Sequence, residues 1–270
     1  MFQPALLLVE QALSAPTPLA RLAHRVRHRI KVEWRKRTYV RRDELSALES
    51  LKSSALKVHV RSLGGTGVKI RPNTSDREVL WATFVGQHHL VPPEVDPRTV
   101  RVIWDLGANI GLTAAHFAAR YPAARVFAVE LCEETAAAAV ANIKPWSDRC
   151  TIIRGAVWYD DGTVNFQATP GDEEAARIVD DATPANSQAP AFSLNKLLAD
   201  HPVVDYIKFD IEGAEIQVLR RNTEWAKRVR SVKVEVHPPY TIAECRADLE
   251  ALGFRTRLEP SHWASVVGFR

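Results

Sequence analysis

Two groups of residues in this sequence have types and spacings that could do chemistry. The first is Asp105, Gly107, Asn109 and Gly111 in D-L-G-A-N-I-G, followed by Glu130 at the end of V-F-A-V-E, 19 residues after Gly111. Glycines bracketing a turn of small residues let the backbone come close to a ligand, because glycine has no Cβ and accepts positive φ. A carboxylate at the tip of the next strand can accept both hydroxyls of a ribose. Asp105 and Glu130 are therefore expected to flank one nucleoside pocket. The loop spacing is G-x-N-x-G, not the G-x-G-x-x-G of a dinucleotide site. The second group is Lys208, Asp210 and Glu212 in K-F-D-I-E, with His237 closing V-K-V-E-V-H. An imidazole beside carboxylates can take a proton from an acceptor. The same three, Asp210, Glu212 and His237, could instead hold a divalent ion that acidifies a hydroxyl. A purely structural network of ion pairs would draw on the same residue types.

Positioning the first group requires a strand, a tight loop and a helix in succession. Val100 to Asp105 is a β-favouring run, and Leu112 to Arg120 reads as the helix that follows the loop. Ala124 to Glu130 reads as a second buried strand, Glu133 to Ile143 as an alanine-rich helix and Thr151 to Val157 as a third strand. Ala156 at its end is small enough to leave room for an adenine ring. Positioning the second group requires two more strands, Val203 to Asp210 and Val229 to His237, the latter stopped by Pro238 and Pro239. Alternation puts Lys208 and Asp210 on one face of the first, and Lys233, Glu235 and His237 on one face of the second. Strands covered on both sides should be nearly all apolar, so these ionisable groups must pair or serve a site. Phe254 to Leu258 and Trp263 to Phe269 suit the last strands of a mixed sheet.

The remaining segments frame this core. Leu56 to Ile70 predicts a hairpin around Gly64, Gly65 and Gly67, and Ser75 or Asp76 is expected to cap a helix running toward Gly86. Trp158 to Gln167, with Asp160, Asp161 and Gly162 at its centre, reads as a hairpin. Thr169 to Pro190 is polar and turn-rich and reads as a long loop. The organisation expected is a basic helical arm over residues 1–60, a hairpin-and-helix apron over 61–98 and the main domain over 99–270.

Composition bounds the rest. At 270 residues, 46% hydrophobic and 25% charged, the chain is of ordinary globular make-up and long enough for one α/β domain with an appendage. No apolar run approaches the roughly 20 residues that span a bilayer. Ala5 to Val9 lacks the basic flank of an export signal, and Cys132, Cys150 and Cys245 show no metal spacing, so a reducing cytoplasmic location is expected. The formal net charge of +4 is local: ten Lys or Arg residues lie between Arg21 and Arg42 against Glu33, which leaves the remainder acidic. Leu22, Val26 and Ile30 would form the apolar side of a basic helix there. It could pack on the domain, on a second copy of the chain as a homodimer, or peripherally on an anionic membrane. No nucleic-acid motif accompanies the charge, so nucleic acid is not expected as a partner.

D-L-G-A-N-I-G at 105–111, V-F-A-V-E at 126–130 and above all I-K-F-D-I-E-G-A-E at 207–215 resemble the FkbM-type members of the class I S-adenosylmethionine-dependent methyltransferases. T-S-D-R-E-V-L at 74–80 and F-S-L-N-K-L-L at 192–198 are similar to further blocks of that family. The resemblance spans about residues 60–260. It departs at Leu131 and Cys132, where a proline commonly follows the acidic residue, and at Asn195, where the family more often has Asp. What the resemblance implies is an α/β fold: a Rossmann-like seven-stranded mixed sheet of order 3-2-1-4-5-7-6, flanked by helices, behind an N-terminal helical and hairpin extension. It also implies cytoplasmic transfer of a methyl group from S-adenosylmethionine to a hydroxyl of a sugar, glycan or natural-product acceptor. Gly107, Asn109 and Gly111 would hold the amino-acid end of the cofactor, Glu130 its ribose and Ala156 its adenine side. His237 would be the base, Asp210 and Glu212 would shape the acceptor pocket, and Lys208 would balance their charge, with a divalent metal possible but not expected. A nicotinamide-dependent oxidoreductase and a non-catalytic module anchored by Arg21 to Arg42 are the competing classes. The first would want a glycine where Asn109 stands.

Overall fold

The runs V-I-W-D-L, R-V-F-A-V-E and Y-I-K-F form the middle of a parallel sheet in the computed structural model, which describes Lys36 and residues 38–169, 172–179 and 184–270. In chain order, helix α1 (Arg42–Glu49) leads into a hairpin of β1 (Leu56–Val60) and β2 (Thr66–Ile70), then α2 (Asp76–Trp81). The main sheet begins with β3 (Val102–Leu106), followed by α3 (Leu112–Arg120), β4 (Arg125–Glu130), α4 (Glu133–Ile143) and β5 (Cys150–Arg154). Then come β6 (Ala156–Trp158), β7 (Gly162–Thr169), β8 (Asp172–Val179), β9 (Ser187–Ser193) and α5 (Leu194–Leu197). The sheet resumes with β10 (Tyr206–Phe209), α6 (Glu215–Arg220), β11 (Ser231–Glu235), α7 (Ile242–Ala251), β12 (Arg255–Leu258) and β13 (Ser265–Phe269).

Seven strands join in the order β12-β13-β11-β10-β3-β4-β5, with β13 antiparallel to both of its neighbours and the other pairs parallel. Numbered along this sheet alone, that is 3-2-1-4-5-7-6 read from the β5 edge. Alternation sends Ile103 and Tyr206 into one buried cluster and Trp104, Leu106, Ile207 and Phe209 into the other. The first cluster also takes Val40, Leu48, Val58, Val68 and Leu80, so α1, the hairpin and α2 share a core with the sheet. The division expected at residue 60 thus falls inside a hairpin. Most of the basic stretch, with Leu22, Val26 and Ile30, lies outside the described residues. No helix among the described residues is long and apolar enough to cross a membrane.

Register matters more than composition for the buried charges. Lys208 stands directly opposite Asp105 on β3 and opposite Lys233 on β11, so one face of the sheet carries a row of ionisable groups through its centre. The turn after β3 is forced by close packing. Gly107 has φ +80°, and a Cβ there would stand 1.7 Å from the Asp210 carbonyl oxygen. Gly111, at φ +77°, lies against α4, where a Cβ would meet Ala139 Cα at 2.9 Å. Gly111→Ala is expected to cost about 2 kcal/mol through left-handed strain and this contact. Thermal unfolding checks it, and an unchanged midpoint would mean that the turn relaxes freely.

Four expectations are corrected. The third strand ends at Arg154, and after Gly155 the chain enters a separate four-stranded sheet of order β6-β9-β7-β8. Trp158 to Gln167 is consequently no hairpin, because β6 pairs with β9 in parallel and β7 pairs with β8 and β9. The segment read as a long loop holds β8 and most of β9. D-E-E-A-A-R-I-V has no apolar alternation, and backbone pairing to β7 with one open edge suffices to make it a strand. At α2, neither Ser75 nor Asp76 caps: Asp76 N–H donates to Thr74 Oγ1, and its carboxylate is gripped by Arg71 at 2.8–3.3 Å.

Candidate functional site

One cavity of about 410 Å³ opens at the C-terminal ends of β3, β4, β10 and β11, where open α/β sheets place their ligands. Its walls come from the apron, the main sheet and the second sheet. Gly107, Ala108 and Asn109 supply the turn after β3, Glu130 the tip of β4, and Gly155 and Ala156 the passage into the second sheet. Asp210, Glu212 and Glu235 supply acids from the ends of β10 and β11. Glu78, Thr83, His88 and His89 close it from the apron, and Ala176 and Ile178 from β8.

The expected nucleoside side is assembled as an acceptor. Glu130 Oε2 accepts Asn109 N–H at 2.8 Å and Oε1 accepts Cys132 N–H at 2.9 Å. A carboxylate has about four lone-pair sites, so each oxygen keeps capacity for a hydroxyl. Burial pushes the Glu130 carboxyl up to about 7, partly offset by these two N–H donors. Asn109 sits in the left-handed region (φ 48°), where its own Oδ1 accepts Ile110 N–H at 2.6 Å. These features fit a ribose-bearing cofactor with a small-residue cradle beside it. Asp105 is placed differently from expectation. It is wholly buried and does not line the cavity, and its tie to the site runs through Lys208 Nζ at 3.4 Å. Neither Asp105 oxygen makes a hydrogen bond, and burial raises its carboxyl to about 6 against the pull of Lys208.

The second group is brought together as expected. Lys208 Nζ lies 3.1 Å from Asp210 Oδ2. Burial alone would lower this ammonium, yet Asp210 and Asp105 outweigh that and hold its value above the usual lysine range. His237 Nε2 faces Asp210 Oδ1 at 3.7 Å and Glu212 Oε1 at 3.6 Å, while Nδ1 bonds Glu215 Oε1 at 2.9 Å. Burial alone would lower the imidazole too, but Glu215, Glu212 and Asp210 push it up to about 9. These carboxylates favour the imidazolium over the imidazole, and His237 stands outside the residues that line the cavity.

Two acids carry more of the site than the sequence assigned to them. Glu215, wholly buried at the start of α6, accepts Ile211 N–H at 3.0 Å and Gly213 N–H at 2.9 Å while holding His237. It stands in the I-E-G-A-E block, where its spacing to Glu212 was the available signal. Glu235 lines the cavity at the end of β11, and burial and Asp210 lift it to about 7. Alternation with Lys233 already put it on the right face. His262, 3.7 Å from Glu235, arrives from the turn between β12 and β13, and nothing local announces it.

Against known proteins, residues 105–256 match the family described as the methyltransferase FkbM domain. No curated protein matches the chain. Similar solved structures include precorrin-6y C5,15-methyltransferase from Geobacter metallireducens, at 13% identity, with 64% of this chain and 84% of that chain covered and a TM-score of 0.39. An O-methyltransferase family protein from Burkholderia thailandensis is 12% identical, with 73% of this chain and 58% of that chain covered and a TM-score of 0.45. The Methanococcus jannaschii fibrillarin pre-rRNA processing protein is 17% identical, with 67% and 69% covered and a TM-score of 0.42.

Proposed function

The chain belongs to the FkbM-domain methyltransferases, which use S-adenosylmethionine, and from that membership we propose that it methylates a hydroxyl oxygen of a sugar, glycan or natural-product acceptor. The observation that supports this most is a cavity that joins a hydroxyl-accepting carboxylate, Glu130, to a wall of acids, Asp210, Glu212 and Glu235. When bound, S-adenosylmethionine supplies an electrophilic methyl group on a sulfonium whose sulfur keeps the electron pair of the broken bond.

The residues of the chain divide the remaining work. Glu130 takes the ribose hydroxyls, the turn from Gly107 to Gly111 takes the amino-acid end, and Ala156 leaves space on the adenine side. Asp210 and Glu212 accept hydrogen bonds from the acceptor and set its oxygen in line with the methyl group. Such positioning is worth on the order of 7 to 11 kcal/mol of barrier. Lys208, itself part of the cavity wall, holds Asp210 in place. The acceptor oxygen gives the electron pair of the new O–C bond, and its proton passes to Glu235, the carboxylate that faces the cavity beside them. Glu235→Gln is expected to lower kcat about 10²-fold with little change in cofactor affinity. A fall in affinity with kcat unchanged would remove Glu235 from that role.

Calorimetric titration with S-adenosylhomocysteine against NADH tests the cofactor, and only the first should bind. The acceptor class is tested by following S-adenosylhomocysteine release across sugars, glycosides and polyhydroxylated natural products, with the product examined by NMR. A methyl group found on nitrogen or carbon would overturn the hydroxyl assignment.

A further inference from the structure

We propose that Asp210, Glu212 and His237 form a binding site for a divalent cation at the acceptor side of the cavity. Their donor atoms, one from each residue, all lie within 4.8 Å of one another. The distances from His237 Nε2 to Asp210 Oδ1 and Glu212 Oε1, 3.7 and 3.6 Å, are too long for hydrogen bonds, which run about 2.7–3.2 Å. They suit donors that share an ion, since ligands at about 2.0–2.3 Å from a cation stand roughly 3.0–3.7 Å apart.

What surrounds the three donors aims them at this gap. Each carboxylate has its other oxygen turned to a cation: Asp210 Oδ2 to Lys208 Nζ at 3.1 Å, and Glu212 Oε2 to Arg177 at 3.6 Å. The oxygens left over are the two that face Nε2. On the imidazole, Nδ1 is committed to Glu215, a wholly buried carboxylate pinned by two backbone N–H groups, so the nitrogen presented to the gap is Nε2. A carboxylate that orients a histidine through its far nitrogen is the usual outer shell of a metal ligand. Lys208 is shared between Asp210 and Asp105, whose buried oxygens have no hydrogen bond of their own. Asp210 and Glu212 line the cavity while His237 stands behind them, so the positions an ion would leave open face the acceptor. Two oxygens and one imidazole suit a cation of the Mn²⁺ or Mg²⁺ kind, with the nitrogen favouring Mn²⁺. The site does not depend on the hydroxyl-transfer reading. Its role does: an ion there would polarise the acceptor oxygen and ease the departure of its proton.

The test is a titration of the full chain with Mn²⁺, followed by the loss of the free-ion EPR signal, in parallel with S-adenosylhomocysteine binding by calorimetry. One bound Mn²⁺ per chain is expected, displaced by Mg²⁺. His237→Gln and Glu212→Gln should each weaken it at least tenfold. Glu215→Gln, which keeps all three ligands but loosens the imidazole, should weaken it about 10- to 100-fold. Binding of S-adenosylhomocysteine certifies each variant as folded. A folded wild-type chain that leaves millimolar Mn²⁺ free overturns the site, as does Mn²⁺ binding that both ligand variants retain. Mn²⁺ binding without methyl transfer to any hydroxyl would sink the transfer reading and leave the site standing.

Discussion

Lys208→Met is expected to destabilise the fold by about 3–5 kcal/mol, because it removes the one charge partner, among the described residues, of a carboxylate sealed inside the sheet. For a chain of this length, that is a fall of on the order of 10 °C in the unfolding midpoint. Asp105 is wholly buried, with Lys208 Nζ at 3.4 Å and no hydrogen bond to either oxygen. Its carboxyl already sits at about 6 in the folded chain, raised by burial, against ~3.9 for an unfolded one. The folded state therefore holds this proton more tightly, and stability falls as pH rises from about 4 to 6. Without the ammonium the carboxyl rises further and the window of loss extends upward, so the variant should be penalised less at pH 5 than at pH 8. Adding Asp105→Asn to Lys208→Met should restore part of the midpoint, since no buried charge is then left unpaired. If Lys208→Met unfolds at the wild-type midpoint at pH 8, the pair does not hold the sheet together.

Glu130→Ala is expected to weaken S-adenosylhomocysteine binding about 10²- to 10⁴-fold, the loss of two hydrogen bonds to a charged acceptor at about 1.5–3 kcal/mol each. It also strips the Asn109 and Cys132 N–H groups of their acceptor. Because the Glu130 carboxyl sits at about 7 in the free protein, and the ionised form is the better acceptor, affinity should rise from pH 6 to pH 8 and level off above that. Glu130→Gln should bind weakly and show no such rise. Calorimetry at the three pH values decides this. A wild-type affinity that is flat with pH, or one that Glu130→Ala leaves intact, would remove Glu130 from the ribose.

The two predictions differ in how far the sequence alone could have carried them. The tip of β4 was legible, because R-V-F-A-V-E is a buried run ending in a carboxylate at a set distance from the G-A-N-I-G turn. Local chemistry is enough there: strand propensity, glycine at positive φ and an acid in chain neighbourhood all lie within 26 residues, from Asp105 to Glu130. The pairing of Lys208 with Asp210 was legible for the same reason, as alternation puts residues two apart on one side of a strand, whereas Glu212 lies past the end of β10 in a turn with φ 51°. The seven-stranded sheet followed from the apolar runs and from the family that the I-K-F-D-I-E-G-A-E block resembles.

What the sequence could not decide was how charges on different strands face each other. Register across β3, β10 and β11 set Asp105 opposite Lys208, which turned an expected pocket residue into a buried counter-ion behind the wall. The distance from Glu215 to His237 crosses 22 positions in the chain, and only the fold brings the start of α6 to the end of β11, where the buried carboxylate holds the imidazole by Nδ1. The strand at 172–179 was hidden because pairing at a sheet edge needs backbone hydrogen bonds, not an apolar pattern. Spacing along the chain determined which residues could do chemistry. Burial and cross-strand contact, which depend on distance in space, determined what charge each one carries and therefore which of them can act.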